Sequence, residues 1–163
     1  MGRGQSLAAD VISGVVSTGL PWLIAQDVLY IGEDMALRET AINKARSWLQ
    51  LAASKISSEY LVLLDSDVVI LDAGVIERMV EWLQHNPDTL SVVVDTKDLE
   101  WTQGQIETSP KWGHKCCAFG VMRTADYLAM HLSGTMCQCA TIEAMGDIHI
   151  IPGHYATEIQ RRR

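Results

Sequence analysis

The chain is poor in several features that would settle a task by composition. It has one Phe, 6% aromatic residues overall, four Pro, and 13 basic side chains against 20 acidic ones, for a net charge of −7. That balance excludes a general nucleic-acid binder, which needs a basic face. The only basic cluster, Arg161-Arg162-Arg163, ends a tail at 159–163 and reads as solvated. Long hydrophobic runs are also missing. The longest uncharged stretch, Val11 to Gln26, is shorter than the ~20 residues of a membrane span and is broken by Gly19-Leu20-Pro21. Asp10 interrupts the apolar region that a secretory leader would need. No membrane span and a cytoplasmic location are therefore expected, with the four Cys reduced.

What is present argues for a folded chain. Of the 163 residues, 48% are apolar and five are Trp. The length predicts a single domain over 1–163 that buries about two-thirds of its unfolded surface, without a metal or disulfide to hold it. So short a chain could also complete its core as a homodimer.

Spacing predicts the elements. Gln5 to Thr18, apolar with small residues, suits helix or strand; Leu7, Val11 and Val15 on one helical face favour helix, and Gly19-Leu20-Pro21 ends it. Trp22 to Tyr30 reads as a short strand before a turn at Gly32. Asp34 then caps a long amphipathic helix from Met35 to about Lys55, with Trp48, Leu49, Ala52 and Ile56 inward. Tyr60-Leu61-Val62-Leu63-Leu64 is a continuous apolar run, the mark of a central strand buried on both faces by helices. Asp72 caps a second helix whose inner face is Val75, Ile76, Met79, Val80 and Leu83, and Asn86-Pro87 stops it. Leu90 to Val94 is a further strand.

The periodicity dissolves over 95–115, a length at which loops are often functional. Cys116 to Arg123 reads as a strand, Thr124 as the cap of a helix Ala125 to Leu132, Met136 to Met145 as a helix, and Ile148 to Ile151 as a last strand. Alternation of strands and helices predicts an α/β fold, three layers α/β/α around a mostly parallel sheet. Such sheets bind ligands beyond the carboxyl ends of their strands.

Asp65-Ser66-Asp67 falls at that edge. In extended chain, residues i and i+2 point the same way, so Asp65 and Asp67 would present two carboxylates to one spot. Their repulsion is relieved by a hard divalent cation, which commonly bridges carboxylates to phosphates. The plainer alternative is that Asp67 caps a turn and Asp65 solvates the strand end.

With these residues in view, Glu59-to-Ile70 resembles the signature of GT-A fold glycosyltransferases, which move sugars from nucleotide-diphospho-sugars. The resemblance implies that Asp65 contacts the nucleotide or the metal, and that Asp67 holds Mn²⁺ or Mg²⁺ against the diphosphate. The stretch from Glu39 to Ala52 is similar to the family's Ala-Arg-Asn-x-Ala segment. Ala41, Asn43 and Ala45 match, Ile42 stands in place of Arg, and Arg38 or Arg46 could compensate. This implies Asn43, Arg46 and Arg38 in nucleotide-sugar binding, unless they are surface helix residues. Gly120 and Arg123 match an acceptor-side segment, with Arg123 then joining the donor site or forming a surface ion pair. Gly146 and His154 match a closing segment, in which His154 joins the metal.

One departure concerns catalysis. Where the family carries a carboxylate base, this chain reads Ser133-Gly134-Thr135. Asp126, Glu143 and Asp147 are the remaining candidates, and an enzyme without a base loses about 10²–10⁴ in rate. Trp101 and Trp112 are candidates for an acceptor platform or lid over 95–115, since aromatic faces pack on sugar rings; otherwise they anchor the loop. The reading is a metal-dependent transfer of sugar from a UDP- or GDP-sugar to a glycan, protein or lipid acceptor.

Three other readings stand beside it. A degenerate GT-A-like module would bind nucleotide or sugar without turnover. A phosphatase of the haloacid-dehalogenase type would use Asp65 as nucleophile, but wants Gly-Thr where the chain has Val68-Val69. Zinc could draw on His114, Cys116, Cys117, Cys137 and Cys139, although adjacent Cys and Cys-x-Cys fit the usual ligand spacing poorly. A Cys117–Cys139 disulfide would need an oxidising setting.

Overall fold

The computed structural model describes residues 9–22, 47–65, 68–94, 119–130, 142, 145–152 and 155–158. Helix α1 spans Ala9–Ser17 and buries Val11 and Gly14. Its end is built as the sequence suggests. The hydroxyls of Ser17 and Thr18 donate to the carbonyls of Gly14 and Val15, each at 2.7 Å. Gly19 follows at φ 65°, the left-handed conformation that glycine adopts without strain.

Gly14 has a second role that the helical pattern did not announce. A Cβ placed there would lie 3.0 Å from the backbone nitrogen and 3.1 Å from the carbonyl oxygen of Ile70. Strand β2 (Val68–Ile70) thus runs against bare helix backbone. Gly14→Val is expected to lower stability by about 1–3 kcal/mol, because overpacking here displaces main chain rather than a yielding side chain. Equilibrium denaturation checks this, and an unchanged midpoint would refute the close approach.

Residues 47–53 form the described part of the long helix, and its inward face is only in part the one expected, with Leu49 and Ala52 half-buried. Ala53 is buried, whereas Trp48 and Ile56 are exposed. Gln50 turns inward instead, and its Nε2 donates to the carbonyls of Tyr127 and Met130, each at 2.8 Å. These carbonyls lie at the end of a short helix, where groups without intrahelical partners need donors. A polar side chain therefore takes a place that hydrophobic spacing alone assigns to its neighbours.

The strands are β1 (Tyr60–Leu64), β2, β3 (Thr89–Val94), β4 (Phe119–Arg123), β5 (Asp147–Ile151) and β6 (Ala156–Glu158). Helix α2 spans Gly74–His85 and α3 Thr124–Ala129. The main sheet has the order β1-β4-β3-β5, and β2 and β6 form a separate two-stranded sheet. In the main sheet β4 is antiparallel to both β1 and β3, while β3 and β5 are parallel. The described sheet is therefore mixed rather than mostly parallel. The reason is that β3 ends and β4 begins at the same edge, so these adjacent strands need no crossover.

Apolar clusters lie on both faces of this sheet. One joins Val75, Ile76, Met79 and Leu83 of α2 to Val92, Val94, Phe119 and Val121, with Val68 and Ile70 of β2 included. The other joins Ala53, Met122, Tyr127, Met130 and Ile142. Alternation in β1 follows this division: Tyr60, Val62 and Leu64 pack on the first, Leu61 and Leu63 on the second. Among the described residues no helix is long and apolar enough to cross a membrane.

Caps differ in detail from expectation. The Asp72 carboxylate accepts from the Gly74 N–H at 2.9 Å, at the start of α2. Thr124 does not cap α3; its hydroxyl donates to the carbonyl of Ser58 at 2.6 Å. At the far end of α2, the Asn86 side chain donates to the carbonyl of Trp82 at 2.9 Å. Trp82 itself stacks on His149 of β5, with ring centroids 3.6 Å apart and planes within 5°.

Candidate functional site

Because β1, β3 and β5 run the same way, their carboxyl ends share one edge of the main sheet. Asp65 follows Leu64 there, residue 95 follows Val94, and Pro152 follows Ile151. The segment bearing Trp101 and Trp112 and the link bearing His154 both depart from the edge that carries Asp65. This is the edge at which open α/β sheets take ligands.

Asp65 is exposed, and its main-chain carbonyl accepts from the Val68 N–H at 3.2 Å. That bond spans i to i+3, the closure of a turn. Beyond it the chain enters a different sheet as β2. Among the described residues, no three His, Cys, Asp or Glu side chains stand together as a metal site.

The opposite edge holds three of the expected site residues. Arg123 pairs in register with Tyr60, and Asp147 with Thr89, at the amino ends of β1 and β3. The five steps from Tyr60 to Asp65 span roughly 16 Å of strand. Asp126 stays with Arg123, 3.6 Å from its guanidinium. Asp126 and Asp147 therefore do not meet Asp65, and neither is placed to act as base there.

Arg123 is likewise remote from Asp65, and its guanidinium is engaged elsewhere. It donates to the carbonyls of Thr89 at 2.8 Å, Leu83 at 2.5 Å and Asn86 at 3.4 Å. Leu83 lies in the last turn of α2, whose unpaired carbonyls and negative dipole end favour a cation. The guanidinium thus clamps the turn between α2 and β3, and it also makes the ion pair with Asp126 that the plainer reading of this residue foresaw.

A second cluster, which sequence reasoning missed, lies where β5 passes to β6. The Tyr155 carbonyl accepts from the Leu71 N–H at 2.8 Å and the Asp72 N–H at 3.3 Å. The Arg78 guanidinium sits 4.6 Å from the centre of the Tyr155 ring and 2.5 Å from the Asp72 carboxylate. The Asp72 bond raises the Arg78 pKa further above its usual range. Arg78 lies six residues beyond Asp72, a spacing with no helical or strand meaning, so the pair had no signature. Glu158 occupies the register position opposite Val68.

Arg38, Asn43, Arg46, Asp67, Trp101, Trp112, Glu143 and His154 lie outside the described residues, as do His114 and the four Cys. No protein-family model matches the chain, and no match is found among curated proteins.

Proposed function

We propose that the chain is a metal-dependent GT-A-like domain that binds a nucleotide-diphospho-sugar and transfers its sugar to an acceptor hydroxyl. The observation that supports this best is Asp65 at the carboxyl edge shared by three co-directional strands, with the 95–118 and 152–154 connections leaving from the same edge. An exposed carboxylate at a turn is an oxygen donor of the kind Mn²⁺ or Mg²⁺ takes. Asp65 and Asp67 would hold the cation, which supplies charge neutralisation for the departing diphosphate. The finer architecture in this reading is three-layer α/β/α.

Within the reading, Asp65 orients the donor at the sheet edge. Trp101 and Trp112 would supply aromatic faces for the sugar ring. Binding without turnover is the second reading, favoured by the location of Asp126 and Asp147 at the far edge. Release of nucleotide from a panel of UDP- and GDP-sugars with Mn²⁺ separates the two.

The test of the donor site is calorimetric. Mn²⁺ with UDP or GDP is expected to bind the wild-type chain and to raise its melting temperature through linkage. Asp65→Ala is expected to weaken this binding by more than the roughly 10–100-fold typical of an outer-shell partner. Because Asp65 is exposed, the variant should melt close to wild type. Equal affinity in the two proteins would remove Asp65 from the site.

A further inference from the structure

We propose that Arg78 is a positioning residue: through Tyr155 it fastens the β2–β6 ribbon, and the ribbon in turn holds the Val68 N–H that donates to the Asp65 carbonyl. The claim rests on the donor-site reading above.

The chain of contacts is continuous. Arg78 is held by one oxygen of Asp72, while the other oxygen accepts from Gly74 at the start of α2. The guanidinium covers the Tyr155 ring, a cation–π arrangement within the usual distance. Tyr155 is also fixed through its carbonyl, which takes the N–H groups of Leu71 and Asp72. From there the ladder runs Ile70 to Ala156, Val69 to Thr157 and Val68 to Glu158. At its far end Val68 donates to the carbonyl of Asp65.

A two-stranded ribbon of three residues a side has little stability of its own. β2 gains support from the core through Val68 and Ile70 and from α1 at Gly14. At the start of β6 the fastening is Tyr155, which packs against the core cluster and also carries the Arg78 guanidinium over its ring. The Arg78 side chain is 48% exposed, so removing it opens no cavity in the core. The expected loss is local order in the ribbon, not the fold.

The experiment compares wild type, Arg78→Met and Arg78→Lys by amide hydrogen exchange and by calorimetry with Mn²⁺ plus UDP and Mn²⁺ plus GDP. In Arg78→Met the Leu71 and Val68 amides should exchange at least about tenfold faster, with core amides such as Val92 unchanged, and nucleotide affinity should fall about tenfold. Arg78→Lys should restore neither, because an ammonium lacks the planar fork that stacks and pairs at once. Unchanged exchange at Leu71 and Val68 overturns the fastening, whatever the nucleotide does. Faster exchange with unchanged affinity overturns the positioning role while the donor site stands. A wild-type chain that takes neither nucleotide overturns the donor-site reading and the positioning claim with it, and the exchange data tell that failure apart from a ribbon that was never fastened.

Discussion

Phe119→Ala should destabilise the protein by about 3–5 kcal/mol, the range for deleting a fully buried aromatic ring. Phe119 is the only Phe in the chain and has no solvent exposure. It belongs to the cluster that joins α2, β2, β3 and β4. A domain of this size is stable by only about 5–15 kcal/mol, so the loss is a large share of the total. Position matters as well as size. Phe119 pairs in register with Leu64, the residue before Asp65. Softening β4 there loosens the strand end that carries the candidate site. Phe119→Leu, which leaves most of the volume filled, should fall well below the Ala variant. Equilibrium denaturation gives both values, and a loss under about 1 kcal/mol for Ala would mean that this cluster does not carry the fold.

Arg123→Met should follow, with a loss of about 2–4 kcal/mol. Hydrogen bonds to charged groups contribute about 1.5–3 kcal/mol each, and partly buried carbonyls left without donors add a penalty. The side chain retains 23% exposure, so water can reach part of the site and the bonds do not simply add. Met keeps the apolar stem and removes only the guanidinium. Arg123→Lys should recover less than half, since one ammonium cannot reach Thr89, Leu83 and Asn86 in the geometry of a planar fork. Nucleotide affinity at temperatures where the variants stay folded should match wild type. A variant of full stability and lost affinity would return Arg123 to the donor site and undo the clamp.

These two residues show where a linear reading succeeds and where it stops. The inner face of α2 was legible because Val75, Ile76, Met79 and Leu83 repeat at helical spacing and pack as that spacing demands. Tyr60 to Leu64 was legible as a strand but not in its place: the unbroken apolar run pointed to a central, buried strand, whereas β1 is half-buried at the edge of the described sheet, where only β4 pairs with it. Strands β2 and β6 were not, because three residues carry too little alternation to register. Trp48 misled because hydrophobicity pointed inward while Gln50 met carbonyls that only a donor satisfies. The clamp made by Arg123 was not legible because its partners are backbone groups of Leu83, Asn86 and Thr89, which carry no side-chain signal.

At the candidate site, the strand end before Asp65 was legible and the bond that returns to it from Val68 was not. The Asp65–Val68 bond depends on where the chain goes next, into a second sheet, and that is a tertiary fact. The separation of Asp126 and Asp147 from Asp65 is of the same kind. It follows from the direction of β4 and the register of β5, neither of which any local pattern encodes.

The insertion of β4 between β1 and β3 also governs the order of assembly. During synthesis the two strands that flank it emerge first, and the one that belongs between them comes only after a long intervening segment. Until it arrives, both flanking strands present open hydrogen-bonding edges to whatever is near. A ribosome stalled just past Val94 would therefore hold a nascent chain prone to sticking to its neighbours. Pairings so distant along the polypeptide also place this domain among the slower folders of its length.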